Sequence, residues 1–185
     1  EYLKRETRAL NRLADLARTW RALPYFVDEN HRVFVVPLVP PVEGRNLRAS
    51  MQQLDPARPD GRLEGQTAWA VVSDAFAALD EVHVEGLVHR ALHPRRIWLG
   101  RRLRVKFSDF HLARISDEQT IHAWVGDDAG DAYRAPECAA DVRLAKPASD
   151  VFSLALCMIE WILGRDATEL TVDEMRALLG VEWPW

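Results

Sequence analysis

The chain has 185 residues, 48% of them apolar, and a formal net charge of −4. That length and apolar content can bury one sizeable core, most simply a single domain. The mild acidity gives no basis for nonspecific nucleic-acid binding, and no apolar run is long enough to span a bilayer.

Glu1 to Trp20 sets Leu3, Leu10, Leu13 and Leu16 among Lys, Arg and Glu, which predicts a helix with one apolar face. Its charged start is unlike a signal peptide, and with no spanning run the expected location is the cytoplasm. Pro24 to Pro41 reads as two short strands, Tyr25-Phe26-Val27 and Arg32 to Val39, turning at Asp28 to His31. Leu47 to Leu54 fits a short helix, and Asp55 to Gly61 is breaker chemistry, hence a surface loop. Leu63 to His83 carries Trp69, Val72, Phe76, Leu79 and Val82 at helical spacing, predicting a long core helix whose aromatics pack inside.

From Leu87 a loop rich in His and Arg enters the apolar step Ile97-Trp98-Leu99 and turns at Gly100. It returns as Leu103 to Phe107, whose period-two alternation reads as a strand. Ile115 to Ala132 is polar and poorly periodic. Ala148 to Leu163 reads as a buried helix, and Thr171 to Leu179 starts another. Cys138 and Cys157 are isolated and expected to be buried thiols, and no His spacing suits a metal, so no metal site is expected.

Several phrases, in order, resemble the eukaryotic-type protein kinases: His89-Arg90, Asp109-Phe110, Ala135-Pro136-Glu137 and the Ser149-Asp150-Val151-Phe152 start of the buried helix. The resemblance runs from the small-lobe helix to just past the large-lobe floor helix. It implies an α+β, protein-kinase-like fold with a mainly helical large lobe, residues 43–185, and a reduced small-lobe sheet and hinge, residues 1–42. The retained positions are Glu6, His89, Arg90, Asp109, Phe110, Glu137 and Asp150. Glu6 matches the helix glutamate that pairs with a strand lysine in the family, with a plain helix surface charge as the alternative. Asp150 is expected to accept hydrogen bonds from backbone N–H groups around Arg90, or to act as an ordinary helix cap. The hinge falls at Pro40-Pro41-Val42 with Val39 as gatekeeper. Val39, Pro40 and Val42 are the nucleotide contacts the resemblance implies, or else the proline pair ends an edge strand.

Four positions depart from the pattern: Ala91, His93, Arg96 and His111 stand where the family has Asp, Lys, Asn and Gly. A methyl group accepts no proton, and a guanidinium offers no lone pair to a metal. The glycine at the fourth position gives access to positive φ, which a His reaches only at a cost. Two pairings are expected in compensation: Asp131 facing His93, and Arg96 with Asp109 in the metal's place; solvated surface charges are the alternative for Arg95 and Arg96. Asp127, Asp128 and Asp131 could likewise meet Arg90 in place of a phosphorylated side chain, or be a solvated loop. No strand precedes Glu1, so the Gly-rich loop and the Lys strand are expected to be missing.

These readings predict a pseudokinase: no enzyme, no cofactor, no metal, and a regulatory or scaffolding role binding a protein partner or a neighbouring domain of the same polypeptide. The alternative is an atypical nucleotide-dependent phosphotransferase that keeps Asp109 as a metal ligand and recruits Asp131 or His93 as base.

Overall fold

The computed structural model describes residues 2–16, 21–22, 26–28, 33–35, 38–39, 44–51, 65–116 and 132–164. Helix α1 (Tyr2–Arg12) is shorter than its apolar pattern suggests. The Leu16 N–H bonds back to the Leu13 carbonyl in a tight turn that ends the helical path. Its inner face buries Ala9 and Leu10 together with the charged Arg5 and Glu6.

The expected hairpin forms between β2 (Phe26–Asp28) and β3 (Val33–Val35), with Val27 opposite Phe34. The latter part of the expected second strand is a separate β4 (Leu38–Val39). It pairs with β1 (Arg21–Ala22), two residues without an alternating pattern to announce them. Pro40, Pro41 and Val42 lie outside the described residues.

A three-stranded antiparallel sheet follows the order β5 (Arg45–Asn46), β7 (Ile97–Leu99), β8 (Val105–Phe107). Gly44 permits its closest approach, since a Cβ there would stand 2.6 Å from the Leu99 carbonyl oxygen. Between β7 and β8 the chain reverses at Arg102 and Leu103, both at positive φ, rather than at Gly100. Helix α2 (Leu47–Met51) starts where the Asn46 side-chain oxygen accepts the Ala49 N–H at 2.8 Å.

Helix α3 (Gly65–Val84) is the expected long helix, with Leu79 and Val82 buried and Val72 and Phe76 packed against the core as expected. Its buried stripe is Val71, Ala75, Ala78, Leu79 and Val82, whereas Trp69 is 65% exposed. The small alanines let helix α5 (Pro147–Leu163) approach closely, and the bulky indole falls off that contact line. A two-stranded pair, β6 (Leu87–Val88) with β9 (Arg114–Ile115), brackets the loops of the site. Helix α4 (Pro136–Ala140) then leads to α5, which Gly164 ends in the left-handed region at φ 65°.

Helix α5 is the floor of the core and buries two carboxylates, Asp150 in its first turn and, near its other end, Glu160. Arg48 meets its carboxylate at 2.8 Å and the Tyr133 hydroxyl donates to it. The Trp161 indole N–H donates to Ser50 Oγ at 3.0 Å, so α2 is tied to α5 twice. Cys138 and Cys157 are free and buried, as expected. No helix among the described residues is long and apolar enough to cross a membrane.

Candidate functional site

The His/Arg loop is anchored from below by Asp150, in the first turn of α5. Its buried carboxylate accepts the His89 N–H at 2.7 Å and the Arg90 N–H at 2.8 Å, and His83 Nε2 stands 3.0 Å away. These are the bonds expected of Asp150, and they hold Arg90 at φ 68°. A left-handed non-glycine residue costs free energy and persists where its surroundings fix it, here by paired charge-assisted hydrogen bonds.

His89 is fully buried and ties this loop to the one after β8. Its Nε2 lies 2.9 Å from the Ser108 carbonyl oxygen, and its ring packs 4.6 Å from that of Phe110. Nε2 therefore carries the proton, while Nδ1 accepts the Ala91 N–H at 3.4 Å. Burial pushes the His89 pKa down to about 4, so the ring is neutral at physiological pH.

Asp109, between β8 and the 3₁₀ turn Phe110–Leu112, is itself left-handed at φ 62° and ψ 57°. His111, at the position where the family has Gly, lies inside the 3₁₀ turn, and the positive φ of this loop is at Asp109, a residue type that tolerates it better than most. The Asp109 side chain is 47% exposed and lies 3.6 Å from Arg96 Nε, whose Nη1 donates to the Ala91 carbonyl at 2.8 Å. Arg96 thus points inward, not to solvent.

Glu6 of α1 completes this corner. Burial, then the negative charge of Asp109, raises its pKa to about 6, against the opposing pull of the Phe110 N–H and Arg96. Its Oε1 is buried and makes no hydrogen bond. The plain surface-charge reading of Glu6 is therefore excluded. His93, buried against Tyr133 with ring centroids 4.8 Å apart, uses its Nδ1 lone pair on the Arg95 N–H at 3.1 Å.

The resemblance implies divalent cations beside Asp109, and the residues present do not fit a pair of them. The place of the second ligand holds a guanidinium within 3.6 Å of the carboxylate. Unit charges of like sign about 4 Å apart oppose one another by about 4 kcal/mol at an effective dielectric of about 20, and a divalent ion doubles that. Among the described residues no three His, Cys, Asp or Glu side chains cluster to supply replacement ligands.

Sequence reasoning missed the surroundings of Arg90. The β6–β9 pairing places Val88 opposite Arg114, and Arg5 donates to the Ala113 carbonyl at 3.1 Å, so three guanidinium groups converge. Burial, then repulsion from Arg114 and Arg5, lowers the Arg90 pKa to about 10. Its Nε and Nη2 are buried and make no hydrogen bond. The partner of Glu137 was missed as well: the Ser149 hydroxyl donates to it at 2.5 Å and holds its pKa below the usual range. Val39 is described only as part of β4. Asp127, Asp128 and Asp131 lie outside the described residues, so their expected pairings do too.

A model of the protein kinase domain family matches residues 1–177. The chain is 28% identical over 163 residues to a Dictyostelium discoideum protein named probable serine/threonine-protein kinase fnkE, covering 85% of this chain and 12% of that protein. It is 33% identical over 128 residues to serine/threonine-protein kinase PknB of Mycobacterium leprae, covering 66% of this chain and 19% of that protein. Against serine/threonine-protein kinase PkaA of Streptomyces coelicolor it is 30% identical over 130 residues, 67% of this chain and 22% of that protein. The chain therefore spans less than a quarter of the length of these curated relatives. The matches correct the expectation that the chain is not an enzyme: the relatives are named kinases and the matching family is a kinase domain, which points to an enzyme. Physically, the loss of individual side chains was given too much weight against an anchoring framework that is intact around Asp150, His89 and Phe110. With a family model covering nearly the whole sequence, and helices and short antiparallel sheets of the corresponding kind, the chain belongs to the protein kinase domain family.

Proposed function

We propose that this chain is part of an atypical nucleotide-dependent phosphotransferase acting on hydroxyl groups of proteins, with residues 1–42 contributing the small lobe and hinge and residues 43–185 the large lobe. The observation that carries the reading is the assembled corner at Asp109. Its carboxylate is open to solvent on one side, Phe110 is packed beneath His89, and Glu6 is brought alongside by α1. Phosphoryl transfer asks for positioning and charge stabilisation more than covalent help, so a site without a base at position 91 keeps most of what the reaction needs. A general base contributes about 10²- to 10⁴-fold, and turnover is expected to be slower than that of a kinase with Asp in that position by that order. His93 is a poor candidate for the base, because its Nδ1 lone pair accepts the Arg95 N–H at 3.1 Å.

Transfer of labelled γ-phosphate from ATP to the protein itself and to a mixed protein substrate tests this. The wild-type protein transfers label, Asp109→Asn lowers the rate about 10²-fold by releasing Arg96, and Ala91→Asp raises it. No transfer above background by either the wild type or Ala91→Asp would refute the proposal.

A regulatory contact with a neighbouring domain of the parent polypeptide is a second role for the same unit. It is supported by Leu144, Val151 and Phe152, which stand 39% to 51% exposed around the start of α5.

A further inference from the structure

We infer that Arg96 takes the place of a divalent cation, so that the site holds the polyphosphate of a nucleotide through a protein guanidinium and needs no metal to do so. The inference rests on the nucleotide-dependent reading above and specifies how that nucleotide is held.

Arg96 lies 85% inside the protein, fixed at one end by the Ala91 carbonyl and at the other by the Asp109 carboxylate. A side chain held at two points is already ordered, so little rotamer freedom remains to be lost when an anion arrives. Its backbone is held as well: the Arg96 N–H donates to the His93 carbonyl at 2.8 Å, and its carbonyl accepts the Ser108 N–H at 2.9 Å. The residue therefore bridges the His/Arg loop and the Asp109 loop through main chain and side chain alike.

The local charge has the same logic. Burial, then the negative charge of Asp109, raises the Glu6 pKa, and Arg96, 3.6 Å from the Asp109 carboxylate, is the cation that opposes the rise. An incoming polyphosphate would add more negative charge to this corner, which only a cation can accept. The guanidinium is present at that point and repels a metal ion that would compete for it. Its planar donors suit phosphate oxygens, whereas the asparagine of the family pattern would have had to act through a bound metal.

Calorimetric titration of ATP into the intact protein, in magnesium chloride and in EDTA, tests the inference. Wild-type affinity should differ by less than about threefold between the two buffers. Arg96→Asn should weaken binding in EDTA by about 10- to 100-fold, the worth of a hydrogen bond to a charged group, and make it magnesium-dependent. Arg96→Lys, which keeps the charge with less change of shape, should hold binding in EDTA closer to wild type and guards against an asparagine variant that fails to fold. Wild-type binding that collapses in EDTA overturns the inference and leaves the nucleotide-dependent reading standing, as does EDTA binding unchanged in both variants. An absence of binding in both buffers overturns both.

Discussion

His89 and Glu6 titrate in opposite senses on either side of Phe110, and each sets a pH window for stability. An unfolded His takes up a proton near its ordinary value of 6.5, whereas buried His89 resists until about 4. The unfolded chain therefore binds the extra proton between those values, and stability falls as the pH drops from about 6.5 to 4, by on the order of 3 kcal/mol. Glu6 works the other way: its folded pKa of about 6 lies above the ordinary 4.5, so its contribution is present at low pH and lost as the pH rises through 6. Urea unfolding across this range should show a His89→Gln variant with a shallower acid limb. Glu6→Gln should gain about 1–2 kcal/mol at pH 7.5 and nothing below pH 4.5. A Glu6→Gln protein less stable than wild type at pH 7.5 would show that the carboxylate has a partner this account lacks. The identities of these residues were legible in the chain, because the kinase-like phrases name them in order. Their energetics were not, because burial and the proximity of Asp109 to Glu6 come from contacts more than a hundred positions apart in sequence.

At the scale of elements, α5 does two jobs with one residue. Its sequence reads as a buried helix, yet Asp150 in its first turn also organises a loop sixty positions earlier. Asp150→Ala would leave two buried N–H groups without an acceptor, at a cost of about 3–5 kcal/mol, and would free Arg90 from its left-handed conformation. Denaturant titration reads the loss, and a change below about 1 kcal/mol would mean that the loop is held by something else. Strong periodicity made α3 and α5 readable, and of the residues expected on the inner face of α3 Trp69 alone stands exposed, because bulk is no guide to burial. Alanines at positions 75 and 78 carry the helix contact, and Trp69 stays outside. Strands of two residues, such as β1 and β6, are too short for alternation to register, and only their pairing partners define them.

For the whole molecule, the family could be read from the order of short phrases, since each marks a junction at which the fold fixes backbone geometry. Activity could not be read from the same phrases. Ala91 and Arg96 suggested a dead site, while the Arg96–Asp109 pairing expected in compensation is present at 3.6 Å, with Arg96 also bonded to the Ala91 carbonyl. The chain matches the protein kinase domain family over residues 1–177 and proteins named as kinases over shorter stretches, and a family alone does not settle the chemistry of its site. The most direct measurement is a crystal structure of the intact protein with a nonhydrolysable ATP analogue. The account predicts the triphosphate in the cleft beside Asp109, with its phosphate oxygens bonded to the Arg96 guanidinium. An analogue seated elsewhere, or a cleft that stays closed by the Arg96 and Asp109 pair at saturating analogue, would contradict it.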